Sequence, residues 1–590
     1  MLHESGQLVS QADIVASLPV HLRPFVRVQD YLRYTARDQA VWRFVMRHLT
    51  RQLRETAHPV YLEGLAKTGI ALDHIPSIDE MNAALAQLGW RAVVVDGFIP
   101  PAIFMEFQAL KVLVIALEMR SVDHILYTPA PDIVHESAGH APFIVDVDYA
   151  EFLQRFGEVG MKAIATEHDF QVYEAIRALS IVKECPASSE QDIAKAQAEL
   201  LRLSDYDGPL SEAALLTRLH WWTVEYGLVG ELDDYKLFGA GLLSSLDESV
   251  RCMNDDVVHK LPLTVDAITA KYDITCQQPH LFVTKSCKHL SQVLEEFAAC
   301  MCFRRGGASS LREAIDAGTV CTAQYDTGVQ VSGQLGEVIC DAVGKAVYFR
   351  TAGPTQLAWK DRELFGHGTS YHDQGFSSPV GLLKDFSRCL SQYTFDELRA
   401  HNINIGQWVT LEFLSGVTVS GLLTAILRQE HQNLLLSFEQ CTVTDLHGRQ
   451  LFQPEWGTYD MAVGAAITSV FGGSADRSAY QLHKPLPSTA TVSVAVDEDL
   501  MDLYKHVAEL VAAGRAIERG MEVEIIERLN AYPCEWLVRA ELFGWIHQDK
   551  TLAPALAERL EAELVALAEN PELTPLIQLA LQTSATSIAA

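Results

Sequence analysis

The segment Thr128-Pro-Ala-Pro-Asp-Ile-Val-His-Glu-Ser-Ala-Gly-His140 carries two histidines, His135 and His140, and an acid, Glu136, directly after the first. On an ideal α-helix, residues five apart project about 140° from each other, whereas the two histidines of a zinc-protease helix stand four apart on one face. The spacing therefore disfavours a zinc-protease motif. Both rings can still reach one ion that sits close to the turn, where Gly139 would let the backbone approach, although a histidine pair alone is more often structural.

A second segment, Leu219-His-Trp-Trp-Thr-Val-Glu-Tyr-Gly-Leu228, strengthens the metal interpretation. Glu225 is an acid within apolar and aromatic residues, where an uncompensated carboxylate is costly to bury and a cation would offset the cost. Two imidazoles and one carboxylate make the facial triad of non-haem Fe(II) oxygenases. Trp221 precedes Glu225 by one helical turn, so its ring would stand beside the metal. The alternative is that the tryptophans are core residues and Glu225 pairs with a buried arginine.

These residues resemble the pterin-dependent aromatic amino acid hydroxylases, the family of the phenylalanine, tyrosine and tryptophan hydroxylases. The resemblance covers residues 25–300, about half the chain, and implies a mainly α catalytic domain. It rests on four motifs in order: Tyr127-Thr-Pro-Ala-Pro-Asp132, His135-Glu136 with His140, Trp221 with Glu225, and Lys236-Leu-Phe-Gly-Ala-Gly-Leu-Leu-Ser-Ser245.

The resemblance implies a role for each matching residue. The catalytic iron ligands would be His135, His140 and Glu225. The pterin would be held by Gly97, Ile99, Phe104 and Glu136, and the amino-acid substrate by Arg120, Thr128, Pro129, Trp221, Gly241, Ser244 and Glu248. For each residue outside the triad, a packing or turn role stays open as the alternative. The separation of 85 positions from His140 to Glu225 exceeds what the resemblance implies, and the extra helical material at 172–209 is expected to form a lid or an oligomer contact.

The implied activity is that of a monooxygenase that hydroxylates the ring of an aromatic amino acid, phenylalanine to tyrosine first of all. It would use Fe(II), tetrahydrobiopterin or another tetrahydropterin, and O2 as co-substrate, with a pterin-recycling dehydratase and reductase as partners. Phenylalanine 3-hydroxylation, or hydroxylation of tyrosine or tryptophan, stays open within the family. The alternative of another class is a zinc-dependent hydrolase built on His135, Glu136 and His140. A binding module on an inactive oxygenase fold would predict a lost ligand, and the sequence retains all three.

The charge balance excludes other classes of function. The chain of 590 residues has 46 Lys+Arg against 76 Asp+Glu, a net charge of −30 that would repel nucleic acid. No apolar run approaches the ~20 residues needed to cross a bilayer, and no secretory signal precedes Arg23. The sequence therefore predicts a cytoplasmic protein with no nucleic-acid or membrane partner.

The second half of the chain has a different texture and no family counterpart in the sequence. Gly328-Val-Gln-Val-Ser-Gly-Gln-Leu335 matches Gly416-Val-Thr-Val-Ser-Gly-Leu-Leu423 at an offset of 88, which predicts two copies of a small β unit, with coincidence between two hairpins as the alternative. Residues 497–590 hold 17 acidic and 7 basic residues and read as helical. We therefore predict three domains: a catalytic domain at 1–305, a duplicated β-rich domain at 306–496 and an acidic helical domain at 497–590. The last two are expected to form a regulatory platform or a homo-oligomer contact.

Overall fold

The computed structural model describes residues 10–126, 131–184, 188–274, 276–484, 497–514, 517, 519–548 and 553–585. Up to residue 317 the chain is mainly helical, as predicted. Its helices and strands are α1 Gln11–Ser17, α2 Ala36–Thr56, α3 Val60–Lys67, α4 Ile78–Leu85, β1 Arg91–Val95, α5 Pro101–Ala109, β2 Val112–Ala116, α6 Val147–Gly160, α7 Glu167–Glu184, α8 Glu190–Ser204, α9 Glu212–His220, β3 Leu228–Glu231, β4 Asp234–Leu237, α10 Ala240–Leu243, α11 Glu248–Arg251, β5 His259–Pro262, β6 His280–Thr284, α12 Cys287–Cys300, α13 Cys302–Arg305 and α14 Gly307–Ala317.

Two short π-helices interrupt this pattern, the first at Val134–His140 and the second at Trp221–Glu225. Single 3-10 turns occur at Arg23–Phe25, Tyr31–Arg33, Ala86–Leu88, Val122–His124, Ala141–Val145, Val265–Thr269, Leu390–Gln392 and Pro454–Trp456. Local sequence sets several helix starts. Thr35 and Ser77 form capping boxes with acids three residues later, which satisfy backbone N–H groups at the starts of α2 and α4.

Two small sheets support the helices. Strands β1 and β2 pair in parallel. The other sheet has the order β4-β3-β6-β5. Helices α7 and α8 form the extra helical material expected at 172–209, and they share a small core of their own that includes Leu179 and Leu200.

The region after α14 is built from antiparallel strands. They are β7 Val320–Tyr325, β8 Val329–Cys340, β9 Ala346–Trp359, β10 Arg362–Glu363, β11 Ser377–Pro379, β12 Trp408–Glu412, β13 Thr418–Gln429, β14 Gln432–Thr444, β15 Gln450–Phe452, β16 Tyr459–Ala462 and β17 Ile467–Gly472, with one short helix, α15 Phe395–Ala400. One sheet has the order β10-β9-β8-β7-β17, with β11 also paired to β9. The other has the order β12-β13-β14-β15, with β16 also paired to β14. Alternating buried residues on their long strands form two further hydrophobic cores.

Five helices close the chain: α16 Glu498–Ala513, α17 Arg519–Ala531, α18 Trp536–Gln548, α19 Pro554–Leu567 and α20 Thr574–Ala585. Asp497 caps α16, since its side chain accepts a hydrogen bond from the Leu500 N–H. Helices α16 and α18 pack against α2, and their buried residues belong to the same core as the N-terminal helices. Across the described ranges, no helix is both long and apolar enough to cross a bilayer.

Candidate metal centre

The two segments singled out in the sequence are the two π-helices. In a π-helix the hydrogen bonds run from residue i to i+5, so side chains five residues apart lie on one face. His135 and His140 therefore converge, which the α-helical estimate of 140° did not foresee. Gly139 serves a different contact from the one expected, because a Cβ at this position would stand 2.8 Å from the Ala240 carbonyl oxygen of α10. The glycine lets the first π-helix lie directly on α10.

Three donor atoms meet between the π-helices. The Nε2 atoms of His135 and His140 lie 3.2 Å apart. Glu225 places Oε2 at 3.2 Å from His135 Nε2 and Oε1 at 3.4 Å from His140 Nε2. Donors about 2.1 Å from a metal in tetrahedral directions stand about 3.4 Å apart, so this donor set fits one divalent transition metal ion. The alternative pairing of Glu225 with a buried arginine is wrong, since in the described chain its ionic partners are histidines.

Burial sets the charges of this centre. Burial alone would lower the pKa of His135, but the neighbouring Glu225 carboxylate outweighs it and raises that pKa to about 9. Burial lowers the pKa of His140 to about 3 despite the same carboxylate. The pKa of Glu225 lies well below its ordinary value because the two rings outweigh its burial. Metal ligands must be deprotonated, so a bound cation would displace the ionisable proton from this group of ligands.

Ser244 orients the His135 ring. Its hydroxyl donates to the Ala240 carbonyl oxygen at 2.8 Å, so its oxygen accepts a hydrogen bond from His135 Nδ1 at 3.0 Å. The Nδ1 atom therefore carries the proton and Nε2 offers a lone pair to the metal. The sequence assigns Ser244 to the substrate pocket, and the structure adds this contact with a metal ligand.

Arg120 forms a buried ion pair with Asp132. The Arg120 Nε and Nη2 atoms donate to the two Asp132 carboxylate oxygens at 2.7 and 2.8 Å, and Nη1 donates to the Ser244 carbonyl oxygen at 3.0 Å. Asp132 also accepts a hydrogen bond from the His135 backbone N–H at 3.0 Å. Sequence reasoning missed Asp132 as a site residue, although an acid three residues before a ligand histidine is a visible signal.

Aromatic rings cover the other side of Glu225. Trp221 stacks between Tyr226 and Tyr272, with ring centroids 4.6 and 4.5 Å away. The Tyr226 hydroxyl donates to Glu248 at 3.0 Å, and burial raises the pKa of that carboxyl to about 7. Gly241 lies against the same tyrosine, since a Cβ there would meet the Tyr226 ring at 2.9 Å. These four predicted pocket residues, Trp221, Gly241, Ser244 and Glu248, are thus gathered around the triad.

The predicted pterin residues divide between the triad and the turn that joins β1 to α5. Glu136 lies 4.0 Å from His140 Nε2, and burial raises its pKa to about 8. Phe104 on α5 meets His220 edge-on, with centroids 6.0 Å apart, and His220 Nδ1 lies 3.6 Å from Glu225. Gly97 has a φ of +61° in the turn itself, and Ile99 follows it.

His220 is a buried neighbour of the triad that sequence reasoning did not assign to it. Its Nε2 has no hydrogen-bond partner within the described chain. Of the predicted residues, Thr128 and Pro129 lie outside the described residues.

Comparison with known proteins shows which family the residues around this centre resemble. A family model for biopterin-dependent aromatic amino acid hydroxylases matches residues 23–180 and 181–305. Phenylalanine-4-hydroxylase of Pseudomonas aeruginosa is 27% identical over 267 residues, which is 45% of this chain and 85% of that protein. The enzyme of Ralstonia nicotianae is 29% identical over 272 residues, 46% of this chain and 73% of that protein.

Solved structures of phenylalanine hydroxylase from Chromobacterium violaceum are also similar. The cobalt-bound form is 25% identical, covers 48% of this chain and 87% of its own, and has a TM-score of 0.36. The form with Fe(III) and 7,8-dihydrobiopterin is 24% identical, covers 47% and 86%, and has a TM-score of 0.38. The family match ends at residue 305, so the β-rich region and the last helices lie beyond it.

Proposed function

Because residues 23–305 belong to the biopterin-dependent aromatic amino acid hydroxylase family, we propose that this protein hydroxylates phenylalanine to tyrosine with Fe(II), a tetrahydropterin and O2. One observation carries the proposal: the Nε2 atoms of His135 and His140 and the two carboxylate oxygens of Glu225 converge, with spacings of 3.2 to 3.4 Å between residues. The zinc-hydrolase alternative is disfavoured, because the family match names a hydroxylase.

The three triad residues would hold the iron. The chemistry that Fe(II) and a tetrahydropterin supply together when bound is the activation of O2 for insertion of one oxygen atom into an aromatic ring. The protein's task is placement, since a misplacement of about 1 Å costs such a reaction orders of magnitude in rate. Ser244 fixes the ligand ring of His135, and Asp132 holds the backbone of the same residue.

Arg120 would anchor the substrate carboxylate. A guanidinium has five N–H groups. Asp132 and Ser244 take three of them, and the Ile125 carbonyl oxygen takes a fourth weakly, at 3.5 Å. Within the described residues, the remaining N–H and the weakly held one are open to an anion, and the Asp132 pair keeps the guanidinium in place for it. Trp221 would border the substrate ring.

Gly97, Ile99, Phe104 and Glu136 would hold the pterin. A positive φ at Gly97 shapes the turn, and Phe104 on α5 presents a ring that can stack on a flat heterocycle. Burial raises the pKa of Glu136 to about 8, and its carboxyl lies 4.0 Å from His140 Nε2, where it would contact the polar edge of the cofactor. Electron supply from a tetrahydropterin calls for a recycling dehydratase and reductase as partners.

The test is product identification with the full chain. The Fe(II)-loaded protein is incubated with tetrahydrobiopterin, O2 and either phenylalanine, tyrosine or tryptophan, and the products are separated by chromatography and weighed by mass spectrometry. We expect para-tyrosine from phenylalanine, and a loss of both iron and product in Glu225→Ala. The exposed Glu231→Ala is the matched control and should behave as the parent. Meta-tyrosine as the product would show that the enzyme hydroxylates the meta position instead. The absence of a hydroxylated product from phenylalanine, tyrosine and tryptophan would overturn the proposal.

The β-rich domain at 306–496 is proposed to consist of two copies of one β unit. The register supports this, because Cys321 of β7 pairs with Gly333 of β8 and, 88 residues later, Val409 of β12 pairs with Gly421 of β13. The boundaries at 305 and 496 stay a proposal as well. A hydrophobic core of its own supports the first boundary, whereas residues after 497 share the core of the N-terminal helices.

Residues 306–590 are proposed to stabilise the catalytic domain by packing against it and to form any homo-oligomer contact. The last helices already cover α2 within the same chain, so an oligomer would use another surface. Light scattering of the full chain gives the oligomeric mass. The cytoplasmic location stays a prediction.

A further inference from the structure

A second set of two histidines and one carboxylate lies in the β-rich domain at 306–496, outside the family match. His367 and His372 lie in the loop between β10 and β11 of one sheet, and Asp460 lies on β16 of the other. His367 Nδ1 is 3.2 Å from His372 Nε2 and 3.9 Å from Asp460 Oδ2. One donor atom from each residue lies within 4.8 Å of the others. The donor types and the closest spacing match those of the triad in the catalytic domain.

Asp460 is a buried carboxyl group whose only basic partner within the described ranges is a histidine, His367. The residue is 5% exposed, and no lysine or arginine in the described ranges forms an ion pair with it. Ser437 Oγ donates to Asp460 Oδ1 at 2.6 Å, which leaves Oδ2 facing His367. A buried carboxylate that has only hydrogen bonds keeps much of its desolvation cost, whereas a metal cation would offset it.

The loop holds both rings in place before any ion arrives. The His367 backbone N–H donates to the Leu364 carbonyl oxygen at 2.9 Å, and the His372 carbonyl oxygen accepts from the Thr355 N–H at 3.0 Å. The two imidazoles stack with centroids 5.4 Å apart and planes 20° apart, and Phe376 packs edge-on against His372 at 5.5 Å. Preorganised donors of this kind lose little conformational entropy when they bind a metal.

We propose that His367, His372 and Asp460 bind a divalent transition metal ion of the zinc class. Neutral imidazoles and one carboxylate suit Zn(II), Fe(II) and Co(II), and they are a poor set for Mg(II) or Ca(II), which prefer oxygen ligands. The ion joins a loop of the first sheet to a strand of the second, and Ser437 holds the carboxylate ligand from behind. Its role is structural, as a clamp between the two sheets.

The experiment counts metal ions per full chain. The protein is stripped with a chelator, dialysed, and titrated with Zn(II) and separately with Co(II), with bound metal measured by mass spectrometry and Co(II) by its visible absorption. We expect two ions per parent chain and one in Glu225→Ala, where the catalytic site is lost. Asp460→Asn and His372→Ala should each also bind one. The exposed His447→Ala is the matched histidine control and should bind two.

Two results would overturn the site. The parent chain could bind a single ion that Glu225→Ala abolishes, as expected when the two histidines only hydrogen-bond to each other. Alternatively, the second ion could persist undiminished in both Asp460→Asn and His372→Ala. Circular dichroism in excess chelator checks that each variant folds like the stripped parent. His367→Gln, at the more exposed ring, decides the question when either core variant fails to fold.

Discussion

Ser244 decides which nitrogen of His135 faces the metal centre. Removing its hydroxyl in Ser244→Ala leaves Nδ1 without its acceptor, so the ring can rotate or change tautomer. Loss of such a ligand-orienting bond typically weakens metal binding by about 10-fold to 100-fold. We therefore expect Fe(II) or Co(II) affinity at the catalytic site to fall by that factor, measured by titration of the stripped protein.

Ser249→Ala is the control for this change. Ser249 is buried nearby, and its hydroxyl bonds to the Leu246 carbonyl oxygen at 3.4 Å rather than to a ligand. Its metal affinity should equal that of the parent. Equal affinities in the parent and in Ser244→Ala would show that the His135 ring is held by packing alone.

Glu248 should make the stability of the protein depend on pH. Burial raises its pKa to about 7 in the folded chain, against an ordinary value of 4.5. The folded state therefore keeps a proton that the unfolded chain releases, and the contribution to stability is full below pH 4.5 and is lost as pH rises through 7. Relative to Glu248→Gln, the free energy of unfolding of the parent should fall by about 3 kcal/mol over this range.

Denaturant unfolding of both proteins at several pH values measures this difference. The exposed Glu231→Gln should run parallel to the parent across the same range. A Glu248→Gln curve that also runs parallel would mean that the carboxyl ionises freely in the folded chain.

The residue scale is where sequence reasoning was strongest. The candidate ligands His135, His140 and Glu225 were identified by the family resemblance together with ligand chemistry, because a carboxylate among apolar residues is costly to bury without a cation. The partner of Arg120 is less accessible to such reasoning. Asp132 accepts hydrogen bonds from Nε and Nη2 of Arg120. This pairing depends on how the folded chain brings the two residues together, so residue type alone does not predict it.

At the scale of elements, the π-helices were the least predictable feature. A π-turn differs from an α-turn by one inserted residue and has no composition of its own, so only the need to bring His135 and His140 together hints at it. Helix starts were easier, because Ser77 and Glu80 form a capping box that is legible in the sequence. The similar segments at 328–335 and 416–423 fall largely on two strands, β8 and β13, and strand alternation and glycine turns are likewise local signals.

Trp536 anchors α18 on α2. Its indole meets the Phe44 ring edge-on with centroids 5.2 Å apart, and it is 3% exposed. Trp536→Ala leaves a cavity between the helices, and changes of this kind cost about 3 to 5 kcal/mol. We expect the free energy of unfolding to fall by that amount in chemical denaturation.

The exposed Trp456→Ala is the comparison for this variant, and its effect should stay within about 0.5 kcal/mol. Equal stabilities of the two variants would mean that α18 does not depend on this contact. Because Trp536 belongs to the last helices, a loss of stability would tie them to the catalytic domain.

At the scale of the whole molecule, acidic residues of the last helices form ion pairs with arginines of α2. Glu535 pairs with Arg37 at 2.9 Å, and Glu541 pairs with Arg43. The sequence showed the excess of acidic residues but not which residues they contact. Contacts between residues some 500 positions apart cannot be predicted from local sequence patterns. The predicted platform is thus in contact with the catalytic domain itself.

Removal of the last helices should damage the catalytic domain. A chain that ends at residue 484 exposes the face of α2 that α16 and α18 cover, so we expect binding of a hydrophobic dye, a lower unfolding midpoint and loss of hydroxylation. A separately produced fragment of residues 497–590, added to the shortened chain, should restore part of the midpoint. Unchanged activity and midpoint in the shortened chain would show that the catalytic domain is stable alone.

The docking of α16 and α18 on α2 also bears on how the protein is made. The helices that cover α2 are translated more than 400 residues after it. At a translation rate of about 5 to 20 residues per second, the apolar face of α2 stays uncovered for on the order of half a minute or longer before α16 and α18 are synthesised. During that interval the nascent chain presents a binding surface for chaperones, and premature termination anywhere in the β-rich half would release a polypeptide with that surface still open.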